Sequence, residues 1–296
     1  MTILYQLLLL QKHEDQPVNF KCLEVTIENH IAHVKLNRPN ELNSMNIDFW
    51  KELPTAIHEI DQQAEARVVV LSSTGKHFSA GMDLAVFTTP NSIPMKGDPA
   101  RMAENLRRAV LQLQDAFSVL EDIRIPVLAA IQGGCIGGSV DMISACDSRY
   151  CTEDTFFTIK ETQLGMTADL GTMQRLPHLI PQGIMRELAY TGRKFDAKEA
   201  KEIGLVNKVF SSQEDMLKGV MEIAQLIAKQ SPMAVAGCKE MINYSRDHSV
   251  ADSLKYMATW QSGMFRPQDM MKCFAAKAQK SDPDFEALWP IKPLFS

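Results

Sequence analysis

Three acidic residues and two glycine pairs share one stretch of the 296-residue chain, in an arrangement suited to proton transfer. Gly133-Gly134 and Gly137-Gly138 follow directly on an apolar run, 127–131, that reads as a buried strand. A helix is expected after them. Backbone lacking Cβ atoms at a helix start leaves N–H groups that an electron-rich atom can approach closely. Asp141 falls in the first turn of that helix, Glu161 just after a strand-like 156–159, and Asp169 a little further on. Fixed donors beside several carboxylates describe proton transfer on a substrate that becomes an oxyanion. The same residues also fit a structural role, with glycines letting a helix pack on a sheet and Asp141 answering the helix dipole.

The elements that must position these groups need a sizeable core, and 45% apolar residues can build one. A net charge of −5 gives no reason to expect a nucleic-acid partner, although an acidic average can hide a small basic pocket for a phosphate. The six cysteines show no Cys-x-x-Cys pair and read as small core residues in a reducing compartment. No metal site is expected from the histidines either: His30, His33 and His58 lack partners at ligand spacing. No apolar run approaches the roughly 20 residues that span a bilayer, so no membrane partner is expected. The chain's beginning resembles neither a secretory signal nor an Arg-rich transit peptide, and its end is not Ser-Lys-Leu. A cytoplasmic location is the default expectation, with the mitochondrial matrix or peroxisome as alternatives.

Along the chain, 1–19 is an extension of no assignable role. Alternating apolar and polar residues over 23–28 and 31–36 predict a hairpin closed by Asn29-His30. Asn37-Arg38-Pro39-Asn40 breaks the second strand, and a helix is expected over 47–62. A buried strand is expected over 67–72, then a loop of small residues, Ser79-Ala80-Gly81-Met82-Asp83, in which Asp83 caps the next helix. A loop is expected over 88–98 and a long helix over 101–121, with Leu106, Val110, Leu113, Phe117 and Leu120 on one face. Met102 and Phe117 are read as core, with lining of an acyl channel as the alternative. A short capped helix near 195–200 leads to a strand over 206–210. Four helices are then expected, near 213–230, 233–246, 250–264 and 267–280. Tyr256, Met257, Trp260, Met264 and Phe265 there are candidates for a subunit contact.

The string GGCIGG-x-VD-x-ISACD-x-RYC, followed by Lys160-Glu161 and by AD-x-GT-x-QRLP, resembles the active-site core of the enoyl-CoA hydratase/isomerase (crotonase) superfamily. The resemblance covers about residues 22–280 and is strongest to the branch acting on dienoyl-CoA. It implies an α/β crotonase-like (ClpP/crotonase) fold of repeated ββα units with a C-terminal helical oligomerisation region. The implied divisions are 20–210 for the core and 211–296 for the helical region. It implies an acyl-CoA thioester substrate, no cofactor beyond that coenzyme A, and a homo-oligomer, trimer or hexamer. It implies conversion of 3,5-dienoyl-CoA to 2,4-dienoyl-CoA in fatty-acid β-oxidation, with Glu161 as the base at C2, Asp169 as the acid at C6 and Asp141 assisting. An oxyanion hole would come from the N–H groups of Met82 and Gly138, with Ala80, Gly81, Met82, Asp83 and Gly138 against the substrate. Ile159, Leu164 and Met166 are expected to keep Asp169 protonated by desolvation. Ser139, Gln163 and Thr167 depart from the family pattern and leave chain-length and double-bond preference open. The competing readings are a 2-enoyl-CoA hydratase using Asp141 and Glu161, and a non-catalytic acyl-CoA-binding protein.

Overall fold

The computed structural model describes residues 20–88 and 97–292. The extension expected over 1–19 and most of the loop expected over 88–98 lie outside the described residues. The chain enters through the expected hairpin, β1 (Leu23–Glu28) paired antiparallel with β2 (Ile31–Leu36). Asn29 and His30 both take positive φ, 50° and 63°, as a two-residue turn matching the strands' twist requires. Helix α1 (Phe49–Gln63) follows, and Phe49, Leu53, Ala56, Ile57 and Ile60 form the face that seats it on the core.

One arrangement then recurs three times: a long strand, a short extended piece, and a helical turn. β3 (Val68–Ser73) leads to the extended segment 79–82 and α2 (Ala85–Thr88). After α3 (Pro99–Asp122), β4 (Val127–Ile131) leads to β5 (Gly134–Ile136) and α4 (Gly138–Ser144). β6 (Ser148–Thr152) leads to β7 (Phe156–Thr158) and a 3-10 turn over Glu161–Leu164. Beyond it come α5 (Thr172–Arg175), α6 (Gln182–Thr191), β8 (Phe195–Asp196), α7 (Ala197–Glu202) and β9 (Lys208–Phe210). The long strands make a six-stranded sheet in the order β1, β2, β3, β4, β6, β9, parallel from β2 onward. The short pieces make a second sheet, β5, β7, β8, onto which Ser79 is bridged through Cys135.

The large sheet is covered on both faces, which is why β3 reads Val-Val-Val-Leu without interruption. Val69 and Leu71 point into the main core with Phe78, Phe117 and Phe157. Val68 and Val70, on the opposite face, meet Met216, Val220 and Ala224 of α8 (Gln213–Ala228). Phe117 is fully buried with its ring 5.1 Å from that of Trp50, so its role is packing. The chain finishes with α9 (Pro232–Asp247), α10 (Val250–Met264) and α11 (Pro267–Gln279), close to the expected bounds. Four cysteines are core residues as expected; Cys238 and Cys273 are exposed on α9 and α11.

One buried cation holds the end of α4. Arg149, on β6, donates from Nη1 to the carbonyls of Ile143 (3.2 Å) and Cys146 (2.7 Å), and from Nε to that of Leu205 (2.8 Å). The last carbonyls of a helix have no partner within it, and a cation there also complements the helix dipole. The residue thus fixes the helix that carries Asp141.

Candidate active site

The parallel register of the small sheet brings the predicted donors together. Ser79 is bridged in parallel to Cys135, so residues three further along each segment, Met82 and Gly138, become neighbours. A Cβ built on Gly138 would lie 3.9 Å from the nitrogen of Met82, and one built on Gly81 would lie 3.3 Å from the nitrogen of Gly138. Met45 flanks the first donor: its N–H donates to the carbonyl of Gly81 (2.8 Å) and its carbonyl accepts from Asp83 (3.1 Å). That pairing uses the groups on either side of Met82 and turns the N–H of Met82 the other way. The N–H of Gly138 opens α4, where no intrahelical acceptor exists. Among the described residues, neither N–H has an acceptor.

The same register adds the third repeat. Cys135 pairs with Phe157, so the chain beyond β7 runs alongside Gly137 and Gly138. Glu161 lies there, with Oε1 3.0 Å from where a Cβ on Gly137 would sit. Gly137 has φ 56° and ψ −123°, so both its backbone and the carboxylate beside it exclude a larger residue. Glu161 Oε2 is buried and lacks a hydrogen-bond partner among the described residues. Burial raises the pKa of Glu161, and the charge of Asp169 adds to the rise.

Asp141 is 1% exposed on α4. Its Oδ1 accepts from the N–H of Thr172 at 2.7 Å, and its Oδ2 is buried without a partner among the described residues. Burial pushes its pKa up to about 7; donation from Thr172 pulls it down, while Glu161 and Asp169 push it further up. Asp169 is exposed, yet desolvation still raises its pKa, against the pull of its own N–H. The expected apolar wall around it differs from the structure. Ile159 is buried, but Leu164 and Met166 are 54% and 40% exposed, because the turn that carries them lies on the surface. The three carboxylates form one electrostatic group whose protonation is coupled.

The remaining predicted residues fall as follows. Ala80 and Gly81 lie in the segment beside the donors, with the N–H of Ala80 given to the carbonyl of Leu42 (2.9 Å). The carboxylate of Asp83 is engaged by its own loop: it accepts from Ser44 Oγ (3.1 Å) and the N–H of Ala85 (3.0 Å), with Arg38 3.8 Å away. Thr172, Arg175, Gln114 and Glu121, which touch the carboxylate-bearing segments, carry no local sequence signal because their partners are 31 to 55 residues distant. A cavity of about 520 Å³ between α3, α9 and α10 is lined by none of the three carboxylates.

Asp141→Asn has a stability consequence of definite sign. Between the ordinary value of 3.8 and about 7, the folded chain keeps a proton that the unfolded chain has lost, so stability falls as pH rises through that window. Above it the cost of the buried charge is fully present. An amide in the same place keeps an oxygen for Thr172 and removes the charge. Its melting temperature is expected to exceed that of the native chain by a few degrees, about 2–4 °C per kcal/mol, at pH 8.5 and to match it near pH 4. Thermal melts across that range check this; a difference independent of pH would exclude the titration of Asp141 as its cause.

The enoyl-CoA hydratase/isomerase family model matches residues 26–287. The chain is 45% identical over 266 residues to the mitochondrial Delta(3,5)-Delta(2,4)-dienoyl-CoA isomerase of Mus musculus, covering 89% of this chain and 81% of that one. It is 43% identical over 274 residues to the peroxisomal Delta(3,5)-Delta(2,4)-dienoyl-CoA isomerase of Arabidopsis thaliana, covering 91% and 99%. A crystal structure of an enoyl-CoA hydratase from Bacillus anthracis superposes with a TM-score of 0.81 at 31% identity, covering 90% and 99%.

Proposed function

The chain belongs to the enoyl-CoA hydratase/isomerase family, with its crotonase-like α/β fold, and from that premise we propose that it converts 3,5-dienoyl-CoA to 2,4-dienoyl-CoA in fatty-acid β-oxidation. A thioester carbonyl acidifies the C–H bonds at C2, but the enolate is accessible only if its oxygen is stabilised as charge develops. The N–H groups of Met82 and Gly138 form the oxyanion hole that receives that oxygen. Glu161 removes the proton from C2, the charge spreads along the conjugated chain, and Asp169 returns a proton at C6. Asp141, out of solvent, assists as a third acid, one whose own proton affinity the charges of that pair raise. The reaction so written needs no cofactor beyond the coenzyme A that carries the acyl chain.

The observation that supports this reading best is the parallel register that stacks two unpaired N–H donors and Glu161, with Asp169 electrostatically coupled to Glu161. Incubation with a 3,5-dienoyl-CoA should generate the conjugated 2,4-dienoyl chromophore in the ultraviolet. Rapid hydration of crotonyl-CoA with the dienoyl substrate untouched would instead establish the hydratase. The name of the Bacillus anthracis neighbour favours that alternative. The burial of Asp141 and the engagement of its Oδ1 by Thr172 count against its activating a water. Binding of both thioesters with neither reaction would leave an acyl-CoA-binding protein.

Self-association as a trimer, or as paired trimers, belongs to the same reading. Met264 on α10 and Phe274 on α11, with Phe265 between the helices, are 43%, 59% and 52% exposed, an apolar surface on the helical region. Sedimentation velocity distinguishes these assemblies from a monomer. The two isomerase relatives are named as mitochondrial and peroxisomal proteins. The cytoplasmic location expected from the sequence stands beside those two as part of this proposal.

A further inference from the structure

We infer that a polar stripe on α3 is a positioning device for proton return at C6, acting on the main chain of Asp169. Gln114, Ser118 and Glu121 recur at i, i+4 and i+7, one helical face, directly beside the stripe of Leu113, Phe117 and Leu120 that packs on the core. All three polar residues reach the same short segment. Gln114 Nε2 donates to the carbonyl of Asp169 at 2.6 Å. Ser118 Oγ accepts from Arg175 Nη2 at 3.0 Å. Glu121 Oε2 accepts from Arg175 Nε at 3.0 Å and lies 2.9 Å from its Nη2. The stripe therefore grips both ends of 169–175, the segment that also presents the N–H of Thr172 to Asp141.

The reason such a grip matters is the exposure of Asp169. Asp169 is exposed, and Leu164 and Met166 are exposed with it, so these two side chains do little to fix where its carboxyl group points. Its placement is set by the path of the backbone, and Gln114 holds that path at the residue itself. Glu121 is secured in turn: Arg246 of α9 pairs with its other oxygen, and Asn243 Nδ2 donates to its carbonyl at 3.1 Å. A rigid anchor lies behind the clamp, tied to the helical region. Small displacements of a reacting group are costly, a misplacement of ~1 Å lowering rates by up to about a hundredfold.

This inference rests on Asp169 acting as the acid at C6, and its test separates the two ideas. Deuterium uptake at C2 of a 3,5-dienoyl-CoA in D2O requires only Glu161 and the two N–H donors, whereas appearance of the 2,4-diene also requires Asp169. Gln114→Leu, close in shape but without the donor, is expected to lower turnover at least tenfold, with C2 exchange and KM within twofold of the native values. Glu121→Gln should move the same quantities in the same direction; if it does not fold, Gln114→Leu alone decides. A proportionate fall in exchange and turnover overturns the inference, as does no change in either. A native enzyme that exchanges C2 without forming any diene would refute the isomerase reading itself, and the positioning role with it.

Discussion

Asp169→Asn is expected to cut turnover of a 3,5-dienoyl thioester by about a thousandfold, in the range typical of a lost general acid, while C2 exchange persists. The variant keeps the size of the side chain and removes its transferable proton, so the dienolate forms at C2 and returns there. A second signature follows from electrostatics. The charge of Asp169 raises the pKa of Glu161, so its removal lowers that pKa, and the acid limb of C2 exchange should shift to lower pH. On the proposed mechanism the reacting state carries one proton on the pair, in the tautomer that places it on Asp169 and leaves Glu161 ionised. Turnover should therefore fall at low pH as the pair takes up a second proton and at high pH as it loses both, each group's pKa being raised by burial. Rates and deuterium uptake measured from pH 5 to 9 check this. Equal loss of exchange and turnover would refute separate duties for the two acids, and an unchanged rate would remove Asp169 from the chemistry.

Gly81→Ala is expected to lower kcat by about a hundredfold to a thousandfold, the scale seen when an oxyanion donor is lost. Gly81 has φ 81°, and a Cβ there would overlap the carbonyl oxygen of Ile136 and lie 3.3 Å from the nitrogen of Gly138. Two backbones in that contact can only move apart, and with them Met82 and Gly138. Gly204→Ala is the control: its φ of 88° carries similar strain, but the nearest atom to a new Cβ is the carbonyl oxygen of Leu179 at 3.5 Å, an ordinary contact. Circular dichroism and kcat for both variants check the claim. Equal loss of activity in the two would attribute the effect to backbone strain and not to the spacing of the donors.

The parts of this molecule that were legible in its sequence are those encoded by neighbours along the chain. The hairpin from Leu23 to Leu36 follows from alternation and from Asn29-His30, and the amphipathic helices from their periodic apolar faces. β5 was not legible, because Gly134-Cys135-Ile136 is too short to show a strand pattern and is held extended by its pairing with Phe156-Phe157-Thr158 on one side and with Ser79 on the other. The site divides in the same way. The string around Gly137, Gly138 and Asp141 could be matched to a family, and from it Glu161, Asp169 and Met82 could be named. The hold of Gln114 on Asp169 and of Thr172 on Asp141 could not, since each is a contact between polar residues far apart in the chain. The expected enclosure of Asp169 failed for a related reason: apolar identity at Leu164 and Met166 does not say which way a surface turn faces.

Among the described residues, the guanidinium of Arg149 bonds to carbonyl oxygens alone, at 143, 146 and 205. Every residue type presents that oxygen, so the position depends on the route of the chain and is indifferent to the identity of the side chains it serves. An engineer recutting the interior at those three places can vary volume and shape with the clasp still closed. Position 149 itself offers no such latitude, because no other side chain spreads donors widely enough to reach all three.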